Sequence, residues 1–123
     1  MEQLIGNYIV FLTKLKLYHW STTSYARHIA SDNLYNNLNK LLDRFVEAYQ
    51  GKYNRINFNN HNFNINKTIV KDDTTIIISI NHLISNLEKE LPKFISVSDS
   101  DLLNLRDEML NELRTSLYLF SLN

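Results

Sequence analysis

Side chains of the metal-ligand type recur at helical spacing in the first half of the chain. His28 and Asp32 are four residues apart, as are Asp43 and Glu47, and this spacing brings two side chains over one spot on a helix surface. Imidazole and carboxylate donors suit Fe(II), Zn or Mn rather than soft copper. His19 ends the apolar stripe of the preceding segment, so we expect it to face inward or into an interface.

The two pairs are too far apart to serve one ion within one chain. At about 1.5 Å rise per residue, Asp32 and Asp43 are separated by roughly 16 Å along a helix, whereas ligand bonds are near 2 Å. Two copies of this helix, packed antiparallel across a two-fold axis, would bring the His28 end of one against the Glu47 end of the other. Such a dimer would hold two identical sites.

Two amphipathic helices are predicted to carry these residues. The first spans about residues 2 to 20, and the hydroxyl-rich stretch 21–24 favours a turn with a helix cap. The second runs to about Gln50, with Gly51 placed as its C-terminal stop. Its buried stripe is predicted to consist of Leu34, Leu38, Leu41, Leu42, Phe45 and Tyr49.

Two further helices are predicted in the second half. Asp72-Asp73 caps a third helix that Pro92 ends, although the isoleucine run 76–78 keeps a strand open as an alternative there. Ser98 or Asp99 caps the fourth helix.

The connection between the second and third helices is the long one. Residues 52–71 alternate asparagine with Phe or Ile and predict an irregular segment of about 20 residues. In a four-helix bundle, one long crossover of this kind is typical of the ferritin-like arrangement. We therefore predict an all-α fold, a ferritin-like four-helix bundle with a long crossover, formed as a single domain by residues 1–123.

The composition excludes several other classes. The chain has no cysteine, which excludes disulfides, thiolate metal sites and cysteine nucleophiles. Two glycines and one proline argue against an all-β sandwich with many tight turns. The ordinary di-iron class needs two Glu-x-x-His motifs, and no glutamate here is followed by histidine three residues later.

Charge and hydropathy bear on partners and location. The 13 basic and 13 acidic side chains create no global field that would attract nucleic acid or an anionic membrane. Basic and aromatic residues interleave between Lys52 and Lys71, a composition that suits single-stranded nucleic acid, but their spacing matches no known module. We expect neither a membrane span nor nucleic-acid binding, and we expect an intracellular protein.

A longer pattern carries a resemblance to a known family. It comprises Leu17-Tyr18-His19-Trp20, then Tyr25 three before His28, then His28-x3-Asp32-x10-Asp43-x3-Glu47. This pattern resembles the Dps-type mini-ferritins, which oxidise iron between two subunits. The resemblance implies a ferroxidase and iron-storage protein that uses peroxide or oxygen, with zinc as the alternative ion. Carried over, one chain would supply His19, His28 and Asp32, and its partner would supply Asp43 and Glu47. The implied assembly is a homo-oligomer, from a two-fold dimer up to a dodecameric shell.

The rest of the chain is similar to uncharacterised short ferritin-like proteins of large DNA viruses and phages. That similarity implies a location in the host cytoplasm or in the virion. A second hypothesis is a non-enzymatic, oligomeric structural or virion-associated bundle that has lost the metal site. The segment from His19 to His28 is a few residues shorter than in the mini-ferritins, which favours this second hypothesis, whereas the intact pattern from His28 to Glu47 favours iron.

Overall fold

The computed structural model describes residues 1–59 and 72–122, and these residues form four α-helices. They are α1 (Glu2–Ser21), α2 (Tyr25–Lys52), α3 (Asp73–Ser85) and α4 (Ser100–Phe120). No strand occurs within the two described ranges, and the isoleucine run 76–78 is helical. The predicted all-α four-helix bundle is confirmed, and the strand alternative is wrong.

The ends of α2 differ in how well they were predicted. Ser24 caps the helix as expected, since its side chain accepts a hydrogen bond from the backbone N–H of Arg27 at 3.3 Å. The prediction that Gly51 stops the helix is wrong, because α2 continues through it to Lys52. The N–H of Tyr53 then donates to the carbonyl of Tyr49 at 2.8 Å. No left-handed residue is needed at this end, so glycine's conformational freedom is not used.

Contacts at one end of the bundle show how the helices run. Arg27, near the start of α2, pairs with Asp73 at the start of α3. Tyr18 near the end of α1 donates to the same carboxylate at 2.5 Å, and Arg27 donates to the carbonyl of Phe120 at 2.8 Å. The helices α2 and α3 therefore begin where α1 and α4 end.

This arrangement accounts for the long crossover. The 28 residues of α2 rise by roughly 42 Å, and the chain must return over that length before α3 begins beside the start of α2. Residues 53–72 make this connection. Residues 60–71 of the predicted irregular segment 52–71 lie outside the described residues, whereas Lys52 ends α2 and residues 54–58 have no regular secondary structure.

The opposite end of the bundle is closed by Asp99. Its carboxylate is only 1% exposed and contacts the ammonium of Lys52 and the hydroxyl of Tyr53. The N–H of Ser96 donates to it at 2.8 Å. Asp99 begins α4 as predicted, because its backbone carbonyl accepts the first helical bond from Leu103 at 2.9 Å. Its side chain does not cap α4 but ties the start of α4 to the end of α2.

The core lies between all four helices. Around the bundle the neighbours follow the order α1, α2, α4, α3. Most of the predicted stripe of α2 is buried, with Leu42 and Tyr49 half-buried. No helix in the described ranges is both long and apolar enough to cross a membrane. Among the least exposed core side chains are Leu15, Leu34, Leu38, Ile76, Ile80, Leu91, Leu102, Met109 and Leu113.

The third helix changes type before Pro92. The α-helix ends at Ser85, a π-helical turn spans Asn86–Glu90, and a 3₁₀ turn spans Leu91–Lys93. Proline has no N–H to donate, and its ring clashes with the carbonyl four residues earlier. The regular α-helical register therefore cannot run through Pro92. The helical extent was predicted correctly, but the π-helical turn was not.

Tyr8 provides a stability prediction. It is 3% exposed, and its hydroxyl has no hydrogen-bond partner among the described residues. Since an unmet polar group of this kind costs about 1–3 kcal/mol, we expect Tyr8→Phe to stabilise the fold by about 1 kcal/mol in urea unfolding at neutral pH. A destabilised variant would show that the hydroxyl has a partner.

The same residue predicts a pH dependence. Burial raises the pKa of Tyr8 far above its ordinary value of 10. The folded state therefore keeps a proton that the unfolded state releases above about pH 10. The unfolding free energy is therefore independent of this ionisation below about pH 10, and it falls as the pH rises from there towards the folded pKa. Tyr8→Phe should reduce the fall in unfolding free energy measured above about pH 10.

Candidate metal centre

His19 and His28 meet where the α1–α2 hairpin closes. His19 lies in the last turn of α1 and His28 in the first turn of α2. Because only residues 22–24 separate the two helices, these turns lie side by side. The rings stack with centroids 3.9 Å apart and planes inclined by 17°. Nδ1 of His19 lies 2.8 Å from the carbonyl oxygen of His28, and Nδ1 of His28 lies 2.9 Å from that of His19. Each histidine thus orients the other.

These reciprocal contacts decide which nitrogen carries the proton. A carbonyl oxygen can only accept a hydrogen bond, so Nδ1 of each ring must carry hydrogen and donate it. In the neutral imidazole, Nε2 then has a free lone pair. Donation from one ring nitrogen to a carbonyl is the usual way in which proteins orient a metal-ligating histidine. The two Nε2 atoms are therefore the nitrogens available as metal ligands.

Ser31 supports this pair from the core. It is fully buried, and its hydroxyl donates to the carbonyl of His28 at 3.1 Å while lying 3.2 Å from Nδ1 of His19. Spacing along the sequence did not identify this role. The one available signal was a hydroxyl three residues after His28 on the inward face of the helix.

Asp32 completes the cluster, one turn beyond His28. Its Oδ1 lies 3.9 Å from Nε2 of His19, whose side chain is 10% exposed against 44% for that of Asp32. A shielded imidazole thus faces a carboxylate that is open to solvent. Of the five predicted ligands, the structure thus places His19 beside both His28 and Asp32.

Asp43 and Glu47 lie elsewhere on α2. Both are exposed, roughly 16 Å or more along the helix from Asp32. Neither has an ion pair or a side-chain hydrogen bond within residues 1–59 and 72–122. Among these residues, no group of three or more His, Asp and Glu side chains is arranged to hold a metal ion. One chain therefore holds the predicted ligands in two separate groups, which we call half-sites.

The half-sites belong to one polar stripe, which we call the outward stripe of α2. The midpoint between Asp32 and Asp43 coincides with the midpoint between His28 and Glu47, between positions 37 and 38. A two-fold axis through this point pairs each half-site with the other half-site of a second copy. The stripe consists of His28, Asp32, Asn36, Asn39, Asp43 and Glu47.

Exposed aromatic side chains lie near the histidine half-site. Trp20 is 68% exposed and Tyr25 is 78% exposed. The ammonium of Lys16 lies 5.6 Å from the ring of Trp20 and 4.7 Å from that of Tyr35. Large exposed aromatic surfaces are typical of protein interfaces, where the apolar ring is covered and its polar atom stays wet.

The protein family described as "Family of unknown function (DUF5856)" matches residues 19–120, a range that includes all five predicted ligands. Neither the curated proteins nor the solved structures contain a match.

Proposed function

We propose that this chain, a member of the DUF5856 family, whose function is unknown, oxidises and stores iron as a Dps-like ferroxidase. Each site would be shared between two subunits. His19, His28 and Asp32 of one protomer would face Asp43 and Glu47 of the other. The single observation that carries this proposal is the reciprocal bonding of His19 and His28, which leaves both Nε2 atoms available.

Three features of the described residues support this assignment. The donor set of two imidazoles and three carboxylates suits Fe(II), with Zn as the alternative ion. Asp43 and Glu47 are exposed and have no partner in the described ranges, as expected of ligands that complete a site on another chain. Finally, the two half-sites lie at equal distances from the midpoint of the outward stripe of α2, as a site shared across a two-fold axis requires.

The imidazoles and the carboxylates would have different roles in Fe(II) oxidation. The two imidazoles bind Fe(II), the substrate, as neutral donors that α1 and α2 hold in place. The carboxylates balance the positive charge and favour Fe(III), the harder ion, once the electron has passed to peroxide or oxygen. One peroxide takes up two electrons, so two ferrous ions are oxidised for each peroxide reduced to water.

The second candidate function is a structural oligomer without a metal. The short segment between His19 and His28 and the exposed aromatic side chains Trp20 and Tyr25 favour this candidate. In that case the histidine stack serves only to close the hairpin. Both candidates use the α1–α2 side as a contact between copies, and they differ in whether iron binds there.

Anaerobic Fe(II) titration tests the proposal. We expect saturation near one iron per chain, followed by oxidation above the buffer blank when peroxide is added. Light scattering on the same sample should give a dimer or a larger multiple. A stable oligomer that binds no Fe(II) would contradict the ferroxidase and support the structural oligomer.

A further inference from the structure

A polar groove runs between α1 and α3, on the side of α1 away from α2. Its volume is about 270 Å³, close to the lower end of the range of about 300–1,000 Å³ that is typical of ligand pockets. The residues that matter are Asn7, Phe11 and Lys14 from α1, His82 and Leu83 from α3, and Asn86 from the π-helical turn that follows α3. They recur at helical spacing on both helices, so the two stripes face each other.

The groove combines a buried apolar floor with polar side chains around its opening. Phe11 and Leu83 are 4% and 3% exposed and form an apolar floor. The short polar side chains of Asn7 and Asn86 also line the groove. The result is a hollow with an apolar floor and a polar rim.

The rim favours a negatively charged ligand. Lys14 is the one formally charged side chain that lines the groove, and no acidic group lies within ion-pair distance of it in the described part of the chain. The Asn7 side-chain oxygen accepts from Gln3 at 2.9 Å, which leaves its NH₂ group to donate. The side chains of His82 and Asn86 have no hydrogen-bond partner among the described residues.

We propose that this groove binds a small organic carboxylate. The carboxylate would accept from the Lys14 ammonium and from the Asn7 amide, and the apolar body of the ligand would lie on Phe11 and Leu83. A charged acceptor forms the stronger bond with an ammonium, so the neutral amide of the same shape should bind more weakly. The site is independent of the metal centre, because it lies on a different face of α1.

Benzoate is a suitable probe, since its flat ring matches the floor and its carboxylate matches the rim. Saturation-transfer difference NMR detects the ligand, and its signal becomes stronger as the protein assembly becomes larger. We expect a saturable benzoate signal and a much weaker one from benzamide. Lys14→Met keeps the length of the side chain but removes its charge, and should weaken benzoate binding about tenfold or more.

Lys40→Met is the matched control. Lys40 is an exposed lysine on α2 that does not line the groove, so its loss should leave benzoate binding unchanged. Equal affinities for benzoate and benzamide, equal losses in the two lysine variants, or no saturable signal from the wild-type protein would each overturn the proposal. None of these outcomes bears on Fe(II) oxidation, so the two proposals can fail separately.

Discussion

Replacing Asp43 or Glu47 by alanine is expected to abolish Fe(II) oxidation while leaving the fold intact. Each change removes a carboxylate that the partner's histidine half-site would need. Loss of an outer-shell group that only supports a metal ligand already costs about 10–100-fold, so loss of a ligand should reduce the oxidation rate by more than about a hundredfold. The rate is measured by absorbance of ferric product after addition of peroxide.

Stability and a matched acidic variant provide the controls. Both residues are exposed, so each substitution should change the unfolding free energy by no more than about 0.5 kcal/mol. Glu108→Ala removes an exposed carboxylate from α4, where it pairs with Arg44 at 3.7 Å, and should oxidise iron at the wild-type rate. Wild-type rates in the Asp43 and Glu47 variants would refute the shared site.

Asp99→Ala is expected to cause the largest loss of stability among the single changes considered. The substitution leaves the hydroxyl of Tyr53 without its acceptor, takes away one of the two acceptors of the Ser96 N–H and removes the ion pair with Lys52. Breaking a buried ion pair costs about 3–5 kcal/mol. Because Lys52 is 47% exposed and can return to water, we expect about 2–3 kcal/mol, measured by urea unfolding.

Asp101→Ala is the natural comparison for this variant. Asp101 lies in the first turn of α4 and is exposed, so it contributes only through the helix dipole, by about 0.3–1 kcal/mol. If the two variants lost the same stability, Asp99 would act as an ordinary residue of the first turn and not as the tie between α2 and α4.

The contrast between Ser24 and Asp99 shows what local sequence can predict. The sequence predicted a helix cap within residues 21–24 and another at Ser98 or Asp99, and α2 and α4 begin directly after Ser24 and Asp99. Ser24 caps α2 through a bond to a residue three positions away, which is a local pattern. The carboxylate of Asp99 instead contacts Lys52 and Tyr53, which are more than 40 positions away, and no local pattern could identify those partners.

Gly51 shows where a local rule fails. Glycine after a helical stripe often marks the end of a helix, but only if the chain needs a left-handed residue there. In this protein α2 ends one residue later, at Lys52, and the residue that follows the helix has a negative φ. The helix boundaries were otherwise predicted well, because apolar spacing and caps are encoded within each segment.

The sequence pattern named the candidate ligands but did not predict how they are arranged. Spacing along α2 identified the two half-sites and their separation, since a helix has a fixed rise. The stacking of His19 on His28 and the exchange of carbonyl bonds depend on how the turn at residues 22–24 closes. Histidines nine positions apart on two helices give no periodic signal of such a contact.

Complementation between two inactive variants tests the shared site most directly. Asp32→Ala and Asp43→Ala would be co-expressed with different affinity tags, and the mixed assembly isolated by purification on both tags. In a two-fold dimer of the two variants, one site combines both defects and the other combines two intact halves. We predict that each variant alone is inactive and that the mixed dimer recovers about half of the wild-type oxidation rate. A mixed dimer as inactive as its parents would contradict a site built from two subunits.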